Sequence, residues 1–257
     1  MGVFTNFATS MKAQIFAEME KLRDAGYLSR MLQHYPREAR PLVGIPLGTL
    51  AEVARTLARQ ADWEKVVTDL MGRGRYEDVV LAVNILDNTT MNDSDFLRRL
   101  ADYVPEIDSR QLCDAICLSA HRALNHPEMM HRFLAPYLAG PTDLQQRFAL
   151  VMILDYFVNI DNIADTLETL SHVRPVGPES EDALAWAYQV SFLAFPRKTC
   201  ISLERLGGDD RLFELIVTRI ERCNRLLIPD RMMLQRLRYE HQQTGHRPVH
   251  DDRQIWR

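Results

Sequence analysis

No stretch of this 257-residue chain approaches the roughly 18 consecutive apolar residues that a membrane-spanning helix needs. Its first residues, MGVFTNFATSMKAQ, carry no basic segment followed by a long apolar run, so a secretory signal is not expected. Asn6 stands where N-myristoylation after Gly2 would call for Ser or Thr. A cytoplasmic protein with no membrane association is the expectation. Cysteines number only four, at 113, 117, 200 and 223. Cys113 and Cys117 are four apart on one expected helix, with no histidine pair at zinc-finger spacing. Reduced thiols packed in a core fit that usage better than disulfides or a metal site, and no metal or cofactor is expected. Positive charge is not in excess either: 31 Lys and Arg face 35 Asp and Glu, a formal net charge of −4. That argues against a chain coated in positive charge, while leaving room for one basic face. Several catalytic signatures are missing. There is no GxGxxG or Walker A stretch, and Gly207-Gly208 is followed by Asp209 and Asp210, which repel phosphate. HExxH and Gly-x-Ser-x-Gly are absent too.

Strand signals are also lacking: no Asn-Gly or Asp-Gly turn joins two alternating segments, and β-branched residues fall inside helical patterns. Helical period runs throughout. Leu50, Val53, Ala54 and Leu57 follow i, i+3, i+4, i+7, and Leu212, Leu215, Ile216 and Ile220 do so with slight slippage. Breaks come regularly: Asp62 as a cap before Trp63, Ser109 as an N-cap, Pro127 opening a helix, Pro141-Thr142 as a cap, Asp161 starting another. A loop runs from Pro175 to Pro178, and Pro196, Gly207-Gly208 and Pro229-Asp230 close later elements. The pattern predicts roughly a dozen helices in antiparallel pairs, an all-α fold. A helical hairpin cannot bury its apolar face alone, so the pairs should stack into an α-solenoid, a superhelix with a concave face. No strict repeat of fixed period is visible, and tetratricopeptide and ankyrin signatures are absent, which favours HEAT-like pairs. Residues 1–239 form one expected domain, capped by an opening helix around Ile15, Phe16, Met19 and Leu22. Residues 240–257 are polar, an expected flexible tail.

Asp114 lies at the edge of an apolar face made by Leu112, Cys113, Ile116 and Cys117, with Arg110 one turn before it and His121 two turns after. Two readings stand open for it: a functional carboxylate, or a structural ion pair with Arg110 at i, i+4. Trp186, near Tyr188 and Phe192, reads as core. Arg147, beside Gln145 and Gln146, reads as an exposed helix end. The other histidines, His34, His126 and His131, read with His121 as surface residues.

Three segments carry a resemblance. They are RFALVMILDYFVNIDNIADTLETL from Arg147, ALAWAYQVSFLAFPRKT from Ala183 to Thr199, and IDSRQLCDAIC from Ile107 to Cys117, with ADWEKVV and GRYEDVVLAV in order upstream. Over roughly residues 40 to 238 the chain resembles the DNA alkylation repair family of helical-repeat glycosylases. The resemblance implies a concave DNA-facing surface and a monofunctional glycosylase that releases cationic N3- and N7-alkylated purines from duplex DNA. It implies Asp114 as the catalytic carboxylate, which would stabilise the oxocarbenium-like sugar and orient water. Trp186 matches an active-site tryptophan, whose ring face suits a cation. Arg147 matches an arginine read as a phosphate contact or as support for Asp114.

Several positions depart from the family pattern. Arg110 stands where the family has Trp; its guanidinium can contact phosphate or stack on a base, but it repels a cationic lesion and competes for Asp114. Gly44-Ile45-Pro46-Leu47-Gly48-Thr49-Leu50-Ala51 lacks two basic side chains of the corresponding family motif. Glu179-Ser180-Glu181-Asp182 replaces an aromatic pair and would weaken binding to a polyanion. A late basic series, Arg205, Arg219, Arg222, Arg225, Arg236 and Arg238, offers compensation, with Arg219 and Arg222 as the DNA-contact candidates beside Arg110 and Arg147; its plain reading is a solvated face. Three functions therefore stay open: an alkylpurine DNA glycosylase, a relative that binds DNA by shape without excising bases, and a helical-repeat scaffold for protein partners.

Overall fold

The computed structural model describes residues 17–35, 38–140, 142–206 and 209–244. Every regular element among them is helical, and none of these helices is long and apolar enough to cross a membrane. Short polar side chains start many of the helices, as an unpaired first turn of N–H groups requires. Asp24 accepts from Tyr27 N at 2.8 Å to open α1 (Ala25–His34). Asn92 accepts from Asp95 N at 2.8 Å to open α5 (Asp93–Tyr103). Ser109 and Thr142 cap α6 (Arg110–Leu118) and α8 (Asp143–Tyr156), as the sequence predicts. Asp62 precedes α3 (Trp63–Met71), yet its side chain makes no capping bond; its carbonyl takes the Lys65 amide instead. Asp161 is displaced as well: Asn162 is the residue before α9 (Ile163–His172).

The chain divides into two compact units, Met1–Phe133 and Leu134–Arg257. In the first unit α4 (Tyr76–Asn88) is the middle helix. It packs against α2 (Leu47–Leu57), α3, α5 and α6. Val79 to Val83, Ile85 and Leu86 are all fully buried, which explains why its apolar residues are not confined to one stripe. A 3₁₀ turn, Val104–Glu106, leads into α6, and another, His121–Leu124, follows it. Then α7 (Pro127–Leu138) carries the chain across the boundary.

The second unit has two layers. α8, α10 (Pro178–Ala194) and α12 (Asp210–Glu221) pack side by side in one, while α9, α11 (Pro196–Glu204) and α13 (Ile228–Thr244) form the other. This is an all-α helical-repeat fold. Prolines 178, 196 and 229 lie in first turns, where a missing N–H costs nothing. Pro196 and Pro229 therefore open α11 and α13 rather than closing the elements before them. Leu215 is 38 % exposed although the period assigned it inward; Phe213 and Val217 fill the core with Leu212, Ile216 and Ile220. α13 continues to Thr244, into the segment expected to be a tail, while 245–257 lie outside the described residues, as do Ile15, Phe16, Pro141 and Gly207-Gly208.

A period that residue types do not display appears in the hydrogen bonds. Tyr76 to Gln111, Asn84 to Ser119 and Arg122 to Asp87 join residues 35 apart in the first unit. Ser202 to Leu167 and Arg147 to Asp182 do the same in the second. One helix pair is about that long, so a bond between equivalent points of successive pairs falls at this spacing.

Candidate functional site

In the first unit, the site is prepared by the segment that feeds α6. Ser109 Oγ accepts from the Leu112 amide at 3.1 Å and donates to Glu38 Oε2 at 2.7 Å. Just ahead of it, Arg40 donates through Nε to Asp108 Oδ2 at 2.8 Å and through Nη2 to the Glu106 carbonyl at 2.7 Å and carboxylate at 3.1 Å. The start of α6 is thus fixed by its own cap and by a loop about 70 residues earlier. Leu112, Cys113, Ile116 and Cys117 are fully buried, and all four cysteines are free thiols. Asp114 is half-buried beside that face, where the apolar neighbours predict it, and Arg110 is half-buried one turn before. Neither side chain is free of a partner. His121 does not extend the α6 face: the helix ends at Leu118, and His121 Nδ1 lies 3.3 Å from Asp87 Oδ2. Burial pushes the Asp87 carboxyl above the usual range, opposed by the Arg122 amide and by His121.

The divergent N-terminal motif has a structural task. Gly44 has φ +93°, and a Cβ there would stand 2.6 Å from that of Leu28. Glu77, fully buried on α4, accepts the amides of Val43 at 2.9 Å, Gly44 at 2.7 Å and Ile45 at 3.3 Å. Beside it, buried Asp78 takes a two-pronged contact from Arg75, at 2.6 and 2.8 Å.

In the second unit, Arg147 corrects the expectation of an exposed helix end. It is 1 % exposed, and Gln146 is buried with it. Arg147 Nη1 donates to Asp182 Oδ2 at 3.1 Å and to the Glu179 carbonyl at 3.2 Å, with the Glu179 carboxylate at 3.7 Å. A side chain so enclosed is not presented to a phosphate, so the DNA-contact assignment for Arg147 has no accessible donor behind it. Gln146 donates to the carbonyls of Leu138 and Arg174 and accepts from Val176 N. Asp143 caps a helix other than its own, taking the amides of Glu179 at 2.9 Å and Ser180 at 2.7 Å. A Cβ at Gly177 would meet the Asp143 carboxylate at 2.5 Å. The acidic turn at 179–182 is consequently occupied by arginines: Arg147, Arg211 on Glu181, and Arg219 on Asp182.

Trp186 stands on α10 one turn beyond Asp182. It is half-buried, whereas Tyr188 and Phe192 are wholly enclosed, so part of its ring meets solvent. Burial pushes the Tyr188 hydroxyl up to about 12, against the Ser202 hydrogen bond. Arg219, 31 % exposed on α12, donates to Asp182 Oδ1 at 2.5 Å. Arg222 is exposed at the end of α12, with no ion pair among the described residues. The rest of the late basic series is largely engaged: Arg205 with Glu168, Arg236 with Glu240, Arg238 with Glu214 and Glu221. The structure therefore brings Arg147, Asp182 and Arg219 together. Sequence reasoning missed Glu77, Arg40 and Asp143, and assigned Asp182 only a repulsive role. Their partners lie one helix pair or more away, and no local signal announces them.

A family model described as DNA alkylation repair enzyme matches residues 15–188. That span contains Arg110, Asp114, Arg147 and Trp186 and stops within α10, so Arg219 and Arg222 fall outside it. No curated protein and no solved structure matches the chain.

Proposed function

Because the chain belongs to the DNA alkylation repair enzyme family, we propose that it is a DNA glycosylase that hydrolyses the N-glycosidic bond of cationic N3- and N7-alkylated purines in duplex DNA. Water adds to the sugar carbon, the C–N bond breaks, and the purine departs neutral, because the positive charge it carried takes up the bonding pair. No proton has to reach the leaving base. Catalysis then consists of stabilising the oxocarbenium-like sugar and receiving the proton of the attacking water, both suited to a carboxylate. Asp114 is the residue assigned to that work. The observation that carries the reading is its half-buried position at the edge of the apolar face of α6, on a helix start fixed by Ser109 and Arg40, within the matched span. Trp186, with part of its ring in solvent, is assigned to the cationic base. Arg147 is assigned a supporting part, holding α10 against α8 through Asp182 and Glu179.

A second reading, a family relative that binds DNA without excision, is favoured by Arg110. It stands one turn from Asp114, where it can pair with the carboxylate and repel a cationic base. Release of N7-methylguanine from duplex DNA by the purified chain separates the two. Asp114→Asn should abolish excision, and Arg110→Trp should accelerate it by removing the competing charge and adding an aromatic face. A native chain that excises vigorously and is slowed by Arg110→Trp would refute the account of Arg110. Binding without excision in both proteins would establish the non-catalytic relative, and no binding even at low salt would leave a scaffold for protein partners.

A further inference from the structure

Three residues of α10 occupy one face of that helix: Asp182, Trp186 at i+4 and Gln189 at i+7, all partly exposed. Both flanking residues reach the same residue of the next helix in the layer. Asp182 Oδ1 receives Nη1 of Arg219 at 2.5 Å, and Gln189 Nε2 donates to the Arg219 carbonyl at 2.9 Å. On its other side Asp182 receives Arg147 at 3.1 Å. One carboxylate therefore ties α10 to both of its neighbours. Arg147 is sealed, but Arg219 retains 31 % of its side-chain surface, and its Nε is a buried donor with no acceptor among the described residues. A guanidinium presents five donors in a fixed fork that matches phosphate as well as carboxylate. Arg219 is thus a side chain equipped for an anion, with Asp182 already in that place.

We infer that Asp182 is a positioning residue that serves as an internal counter-ion: it holds Arg219 beside Trp186 and withholds that guanidinium from phosphate, limiting the affinity of this face for duplex DNA. The inference rests on the DNA-binding reading proposed above. Duplex DNA is the ligand because Arg219 and the partly exposed Trp186 ring share the face; a polyanion supplies phosphate for the first and a base for the second. Neutralising Asp182 transfers one guanidinium from an internal carboxylate to a phosphate. By counterion release the dependence of log affinity on log salt should steepen by about 0.9.

The test is fluorescence anisotropy of a labelled duplex titrated with the full chain at several salt concentrations. Asp182→Asn should bind several-fold more tightly than the native chain at low salt, with the steeper salt dependence. Adding Arg219→Gln to it should remove the gain. Glu179→Gln deletes an equal charge that touches Arg147 but not Arg219, and should leave the salt dependence as in the native chain. Circular dichroism checks folding; if Asp182→Asn loses helix, Asp182→Ser keeps a hydroxyl acceptor for Arg147 and makes the same prediction. Native binding with an unaltered or weakened Asp182→Asn overturns the inference alone, as does an equal gain from Glu179→Gln. Absence of binding by every variant at low salt overturns the DNA-binding reading and this inference with it.

Discussion

Arg40 in the first unit and Arg147 in the second hold the start of a helix that carries a candidate site residue, and each does so by gripping two acidic residues. Arg40 grips Glu106 and Asp108 just before α6 and Asp114; Arg147 grips Glu179 and Asp182 in the first turns of α10, before Trp186. Their surroundings differ. Arg40 is 12 % exposed and its carboxylates lie substantially in water, whereas Arg147 is 1 % exposed. Removing a guanidinium near the surface lets solvent take its place; removing an enclosed one leaves a cavity and strips the Glu179 carbonyl of its donor. An arginine can thus read as a polar helix end in the sequence and still be a core element.

Arg147→Ala should destabilise the second unit by about 2–5 kcal/mol, and Arg40→Ala should cost the protein only about 1–2 kcal/mol, both measured by urea unfolding. Equal losses would show that enclosure is not what separates the two arginines. The caps of the two units differ in reach. Asp143 satisfies two amides of another helix, so Asp143→Ala should cost about 2 kcal/mol, and Ser109→Ala, which frees one amide of its own helix, about 1 kcal/mol. Ser109→Ala should also slow any excision that depends on Asp114, since it loosens the start of α6.

The smallest effect concerns pH and belongs to the first unit. Burial raises the Asp87 carboxyl in the folded state. A raised value means that the folded chain holds this proton more tightly than the unfolded one. The stabilisation is therefore complete below the unfolded value near 4 and is lost as pH rises through the folded value. Asp87→Asn cannot ionise. Its urea-unfolding midpoint should drop less than that of the native chain as pH rises above about 4. A native midpoint that falls no faster than the variant's would show that Asp87 adds no such slope.

Local spacing made part of this legible. Ser109 and Thr142 are caps because a short polar side chain reaches the amide three residues on, and Asp114 is at an apolar edge because its helix neighbours are apolar. Leu215 failed because a helix in one layer of a stack buries a face only as wide as its neighbours cover, and that width is not written in the period. The family was legible in contiguous motifs, although the matched span begins earlier than they do, at residue 15, and ends at 188, within the Ala183–Thr199 segment.

The all-helical class, several cap positions and the family are set locally, each by residues within a few turns of one another. The stacking of helix pairs is what encloses Arg147, lets Glu77 anchor the turn at Gly44 and sets Arg219 on Asp182. Those charges meet across distances of 33 to 37 residues. At that range the partner of an ion is chosen by how one helix pair stacks on the next, and the same arginine would be solvated had the stack been offset by a turn.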